Sequence, residues 1–290
     1  MKKIFHTKQE LIRQFKLAIK LPPRILTNNL RVLPNFLIIG VSKSGTTSLY
    51  HYLTQHPSVT PALIKEVYFF DRSYNRGLAW YRAFFPTVLE RYYSITKNKK
   101  EFLTGEATPC YIFNPHVPRR VFNTIPDAKL IVLLRNPVDR AYSFYHHQLR
   151  SGVESLSFED AIESEEERLR GELEKMMDDE NYFSFNRQYY SYLSRGIYVD
   201  QLRNWMKFFP REQILILESE RLFTDPISIF NKIVGFLNLP GAETMELKKL
   251  NIKPYPEINP ATRERLVDYF KPHNQKLYDF LGVDFGWESC

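Results

Sequence analysis

The stretch FLIIGVSKSGTTSLYHYL, residues 36 to 53, limits the possible folds more than any other part of the chain. An uninterrupted apolar run leads into a turn holding Gly40 and Gly45, then into a helix-forming segment that stops at Pro57. Short continuous apolar strands that alternate with helices belong to a parallel sheet covered on both faces. A turn over 41–46 of this kind aims backbone N–H groups and the helix dipole at one anion. Lys43 adds a charge, Ser44, Thr46, Thr47 and Ser48 add hydroxyl donors, and Gly45 permits close approach. The nucleotide-triphosphatase pattern has the same glycine spacing but places its lysine directly after the second glycine, where this chain has Thr46. The alternative reading is a tight strand–helix turn with a solvated lysine.

A second such unit is KLIVLLRNPVDRAYSFYHH, residues 129–147. Its strand ends in Arg135, and its helix starts with Asn136 as cap, Pro137 in the first turn and Ser143 two turns in. In a triphosphatase this strand usually ends in an aspartate that helps to hold magnesium. Arginine repels a cation and welcomes a second phosphate; the alternative role for Arg135 is a structural ion pair. Two anion sites at strand ends, with no carboxylate for a metal, imply a donor with two separated anionic ends and no magnesium requirement. Ligands of parallel sheets bind at the carboxyl ends of strands, which is where both sites fall. Strand-like runs are expected at 36–40, 67–70, 129–134 and 213–217. Helices are expected after each cap-then-proline pair, including Asp225-Pro226 and Asn259-Pro260. The expectation is α/β, a central parallel sheet flanked by helices, with no internal repeat and no second core.

The formal net charge of +7 would invite a nucleic-acid reading, so its location matters. Residues 1–34 hold eight Lys/Arg against one acid, which leaves 32 basic and 32 acidic residues in the remaining chain. The division expected is therefore a basic N-terminal leader over 1–34 and a single domain over 35–290, with no nucleic-acid partner. The leader can form a basic amphipathic helix, with Ile4, Leu11, Phe15 and Ile19 roughly on one side, ending at Pro22-Pro23. Peripheral membrane or partner contact is one reading of it, and a solvated segment the other. No stretch reaches transmembrane length, no signal-peptide apolar core is present, and the only cysteines are Cys110 and Cys290. A reducing, cytoplasmic setting and no bound metal are expected.

GVSKSGTTSL resembles the 5′-phosphosulfate loop of sulfotransferases that use 3′-phosphoadenosine 5′-phosphosulfate (PAPS), and RNPVDRAYS resembles their 3′-phosphate motif. The carbohydrate branch typified by heparan sulfate sulfotransferases is the closer resemblance. Its Lys-Glu-x-x-Phe-Phe-Asp element reads KEVYFFD at 65–71, its Gly–Trp-Tyr–Pro run GLAWYRAFFP at 77–86, and its Glu-x-Thr-Pro-x-Tyr element GEATPCYI at 105–112. The similarity continues through RGIYVDQLRNWMKFFP (195–210) to KPYPEINP (253–260), which resembles the late cofactor loop.

This resemblance implies a P-loop-like sulfotransferase fold and transfer of a sulfuryl group from PAPS, leaving 3′-phosphoadenosine 5′-phosphate (PAP). It implies that Lys43 stabilises charge on the bridging oxygen as the bond breaks, and that Glu66 is the catalytic base. Tyr68, Phe69 and Phe70 would partly desolvate that carboxylate; a surface Lys65–Glu66 pair is the plain alternative. Asp71 would line the acceptor site, support the base or cap a helix. Arg135 and Ser143 fall on the 3′-phosphate ligands, and Lys253 and Tyr255 on the late cofactor loop. The acceptor implied is a hydroxyl, or less readily an amine, on a glycan or small molecule; a P-loop kinase or NTPase is the competing class.

The departures bear on the acceptor. Ala107 stands where heparan-type enzymes have an active-site lysine, Thr47 where they often have arginine, and Tyr68 where they often have histidine. Residues 151–185 carry twelve acids against three bases. An exposed acidic helix is expected there; were it to border the cleft, it would favour neutral or cationic acceptors over heparan-like ones.

Overall fold

The computed structural model describes residues 8–97, 99, 101–241 and 254–289. Five strands, β1 (Phe36–Gly40), β2 (Val59–Pro61), β3 (Leu103–Ala107), β4 (Lys129–Leu134) and β5 (Ile214–Glu218), form one sheet in the order β2-β3-β1-β4-β5. Every pairing is parallel, with Phe36 opposite Gly105 on one side and Lys129 on the other. The helices before β4 are α1 (Lys8–Leu26), α2 (Thr46–Gln55), α3 (Phe69–Arg72), α4 (Gly77–Arg82), α5 (Val88–Thr96) and α6 (Val117–Thr124). Between β4 and β5 lie α7 (Pro137–Arg150), α8 (Phe158–Glu163), α9 (Glu165–Leu169), α10 (Glu172–Asp178), α11 (Phe185–Tyr189) and α12 (Tyr198–Met206). After β5 come α13 (Ser219–Thr224), α14 (Pro226–Leu237) and α15 (Pro260–Leu281).

The apolar run of β1 is buried on both faces, as its sequence requires. Phe36 and Ile38 join Leu49 and Leu53 of α2 and Ile229 and Ile233 of α14 in one core layer. Leu37 and Ile39 join Val121 of α6, Leu202 and Trp205 of α12 and Leu277 of α15 in the other. The sheet is thus sandwiched, and its central strand β1 lies beside β4. The two anion-binding units read from the sequence therefore stand at neighbouring strand ends. The three helices expected after cap-then-proline pairs are capped as expected: Asn136 accepts from Val138 N, Asp225 from Ser228 N and Asn259 from Ala261 N.

Three expectations need correction. The 67–70 run is no strand: Tyr68 takes a positive φ of 56° and Phe69 opens α3. Its phenylalanines are buried because they pack on Tyr81, and a short apolar run cannot by itself distinguish a strand from a buried turn of helix. Strands β2 and β3 fall where none was expected. The sequence LTGEA of β3 is polar, yet Glu106 is fully buried because its oxygens are hydrogen-bonded. Finally, α1 does not end at Pro22-Pro23 but runs through both to Leu26. Leu17 and Leu21 pack on the core, and Arg24 Nη2 donates to Phe85 O at 2.8 Å. That docking offsets the roughly 3 kcal/mol cost of proline inside a helix.

Candidate functional site

The 41–46 turn leaves the end of β1 and delivers Gly45 as the N-cap of α2 at φ 90°. A side chain at Gly45 would be strained there and would meet the Phe223 ring at 2.7 Å, so glycine is required. Ser44 is buried; its Oγ donates to Val41 O at 2.6 Å, and its carbonyl accepts from Ser219 Oγ at 2.7 Å. Lys43 also takes a positive φ, 76°. Thr46 and Ser48 are buried in the first turn of α2, and Thr47 is half-buried. The turn is thus held by a hydrogen bond within itself and by Ser219 of α13.

Arg135 follows β4, and its Nη1 donates to Lys43 O at 2.8 Å. One guanidinium thus ties the end of β4 to the backbone of the 41–46 turn. The carbonyl of Arg135 accepts from Tyr198 OH at 2.7 Å, and Asn136 N donates to Glu220 at 2.9 Å, fixing this strand end. Ser143 is buried on α7. One helical turn further, His146 stacks on Tyr255 with ring centroids 4.7 Å apart, which brings the late loop onto the Ser143 helix. Lys253, expected beside Tyr255, lies outside the described residues.

Glu66 sits in the segment between β2 and α3. Its Oε1 is 2.7 Å from Lys65 Nζ, and its Oε2 accepts from the Tyr68 hydroxyl. Burial, followed by the Glu66 charge, pushes the Tyr68 phenol well above its ordinary range. Lys65 does more than pair with its neighbour, because the same ammonium lies 2.7 Å from Thr47 Oγ1. It therefore spans the phosphate turn and the expected base. The segment itself is pinned from below by Glu106, which accepts from Val67 N at 3.1 Å, Thr108 Oγ1 at 2.6 Å, Tyr81 OH at 2.9 Å and Tyr111 OH at 3.1 Å. Tyr111 OH in turn accepts from Phe69 N. Burial pushes the Glu106 carboxyl up to about 7 despite those donors.

Asp71 is separately placed. It lines a small open cleft together with Cys110, Phe113, Arg187 and Arg195. Cys110 Sγ donates to Asp71 Oδ2 at 3.2 Å, Arg72 Nε lies 3.5 Å away, and Oδ1 is buried with no hydrogen-bond partner. Burial raises its carboxyl above the usual range, opposed by Arg72 and Cys110. Arg187 and Arg195 flank the Phe113 ring at 4.4 and 4.5 Å. Burial lowers both guanidiniums, Arg195 to about 9.

The acidic run over 151–185 forms three short helices, α8 to α10, instead of one; most of its acids are exposed, as expected, and three turn inward. Glu154 is buried against Arg168 and Tyr192; burial raises its carboxyl, but hydrogen bonds led by Arg168 outweigh this and hold it at about 2. Glu165 accepts from the N–H groups of Tyr192, Leu193 and Ser194, and Glu172 accepts from Ser184 and Tyr182. The segment does border the cleft, through Met176, Tyr182, Phe183 and Ser184, yet the charged groups at that rim are Asp71 and two arginines. The charged side chains lining this cleft are thus net cationic, beside a segment whose other acids mostly stay at the surface. Sequence reasoning left Lys65 as a neighbour pair and gave Arg187, Arg195 and Glu106 no role. Arg195 and Glu106 do lie in quoted motifs, whereas nothing in the sequence marks Arg187.

The sulfotransferase-domain profile matches residues 33–255 of this chain. Heparan sulfate glucosamine 3-O-sulfotransferase 6 of Mus musculus is 32% identical over 287 residues, covering 89% of this chain and 75% of that protein. The membrane-associated sulfotransferase kil1 of Dictyostelium discoideum is 31% identical, covering 89% and 67%. Among solved structures, a sulfotransferase from Alicyclobacillus acidocaldarius superposes with a TM-score of 0.71 at 28% identity, covering 89% of this chain and all of that one.

Proposed function

The chain belongs to the sulfotransferase family, and on that premise we propose that it moves a sulfuryl group from PAPS to a hydroxyl of an anionic carbohydrate, with Glu66 as base. The observation that carries this reading is the Lys65 bridge, 2.7 Å to Thr47 on the donor side and 2.7 Å to Glu66 on the acceptor side. A base held one lysine away from the phosphate turn can reach a hydroxyl aimed at the sulfur.

In this reading the 5′-phosphosulfate lies in the 43–48 turn, Arg135 and Ser143 take the 3′-phosphate, and Lys253 and Tyr255 belong to the late cofactor loop. The acceptor oxygen attacks sulfur, and the bond between sulfur and the 5′-phosphate oxygen breaks. PAP leaves with that electron pair and the acceptor proton passes to Glu66. Lys43 offsets the charge that grows on the bridging oxygen. Arg187 and Arg195 supply charge-assisted donors for a sulfate or carboxylate on the sugar. The heparan sulfate enzymes among the relatives act on a glycan of that character by name. A cytoplasmic setting is part of the proposal, in keeping with a free, buried Cys110 thiol at the cleft.

Labelled PAPS offered with sulfated, carboxylated and neutral oligosaccharides tests the reading. Transfer to anionic sugars is expected, to a hydroxyl and without added metal. Transfer to none of them, or preference for neutral or cationic small alcohols, would remove the acceptor assignment.

A further inference from the structure

The exposed apolar side chains of this protein are unevenly distributed. Of the six most exposed large hydrophobic residues among those described, five are Ile19, Leu26, Leu30, Leu89 and Tyr92, which are 61 to 86% accessible. They lie on α1, the turn after it and α5, and these segments are physically joined. Arg31 Nη1 donates to Phe85 O at 3.0 Å, Val32 N donates to Pro86 O at 3.0 Å, and Arg31 pairs in a bridge with Thr87, the cap of α5. Val88, Tyr93 and Ile95 extend the exposed apolar surface along α5.

Charge gathers in the same place. Among the described side chains of 17–34 and 87–99, six are basic (Lys20, Arg24, Arg31, Arg91, Lys97 and Lys99) and one, Glu90, is acidic. An apolar patch rimmed by cations, with two adjacent tyrosines, has the composition of a surface that lies in a lipid headgroup layer. We infer that the face formed by α1, residues 28–34 and α5 docks the enzyme on an anionic lipid surface.

A second copy of the chain is a poor occupant, since it would set one strongly cationic face against another. A soluble polyanion would satisfy the cations but leave Leu26, Leu89 and Tyr92 in water. A bilayer satisfies both at once, with each lysine near an anionic leaflet attracted to it and the apolar side chains entering the acyl boundary. The inference does not depend on the identity of the acceptor.

The test is sedimentation of the full chain with phosphatidylcholine vesicles, with and without phosphatidylglycerol. Binding to the anionic vesicles at least roughly tenfold stronger than to neutral ones, and weakened by salt, is expected. Leu89→Glu combined with Tyr92→Glu should lower that binding by roughly tenfold or more while PAP affinity stays within twofold. Any of three results would overturn the inference: no binding to anionic vesicles, equal binding to neutral ones, or salt-sensitive binding indifferent to the double substitution. A concentration-dependent dimer that the same substitutions dissociate, without vesicle binding, would assign the face to a second copy instead.

Discussion

Replacing Glu106 by glutamine removes a fully buried carboxyl from beneath the segment that carries Glu66. In the folded chain this group titrates near 7 rather than at an ordinary 4.5, chiefly because burial penalises its charge. The native protein therefore binds more protons than the unfolded chain between those two values. Its stability falls as pH rises through that window and levels off above it. A shift of this size corresponds to about 3 kcal/mol in full, of which about 2 to 3 kcal/mol develops between pH 5 and pH 8. Glutamine has no such titration. Its carbonyl can still accept from Val67 N and Thr108, and its amide can donate to the Tyr81 and Tyr111 hydroxyls, which rotate to accept. Denaturant unfolding of both proteins across that pH range is the assay, read as the difference between them so that other carboxyls cancel. The wild type should lose about 2 to 3 kcal/mol relative to Glu106→Gln on going from pH 5 to pH 8, while transfer at pH 8 stays within roughly threefold. A difference that does not change with pH would refute a carboxyl buried at this cost.

Arg135→Ala should weaken PAP binding by roughly tenfold or more in calorimetry, since the side chain braces Lys43 O and, in the proposed reading, takes the 3′-phosphate; unchanged affinity would misplace that phosphate. Lys65→Met should lower kcat by roughly tenfold or more with PAP affinity within twofold, because it loosens Glu66 from the phosphate turn rather than removing a donor ligand. Arg187→Ala should raise KM for an anionic oligosaccharide by roughly tenfold and leave kcat and PAP binding alone. Equal effects on neutral and anionic acceptors would mean that Arg187 supports the wall instead of reading charge.

The parts of the fold legible in the sequence are those where one local signal decides the outcome. β1 followed by α2 and β4 followed by α7 each combine an apolar run, a turn and a cap, and the capping side chains of Asn136, Asp225 and Asn259 do what their positions suggest. β3 was illegible because donors outside the strand, Val67 and Tyr81 distant in sequence and Tyr111 just after it, satisfy a glutamate no strand pattern would admit. The 67–70 run was misread for the complementary reason: its apolar character serves an aromatic cluster with Tyr74, Trp80 and Tyr81, not a sheet. Candidate site residues could be named from motif chemistry, but their geometry could not. Glu66 and Lys43 could be named, whereas the Lys65 span between Thr47 and Glu66 exists only once two loops meet. Charge counting over 151–185 cannot say which way side chains point: Glu154, Glu165 and Glu172 face inward, most of the other acids are exposed, and the cleft is lined by Arg187 and Arg195.

The central claim is that a metal-independent phosphosulfate site and the Glu66 base operate as separate parts of one transfer reaction. Calorimetry with PAP in EDTA, paired with PAPS turnover on a hydroxyl acceptor for the wild type and Glu66→Gln, tests it most directly. The account predicts PAP binding without metal that is indifferent to the substitution, tighter than ATP binding, and a turnover loss of roughly 10²-fold or more. Near wild-type turnover in Glu66→Gln, or PAP binding that requires magnesium, would contradict it.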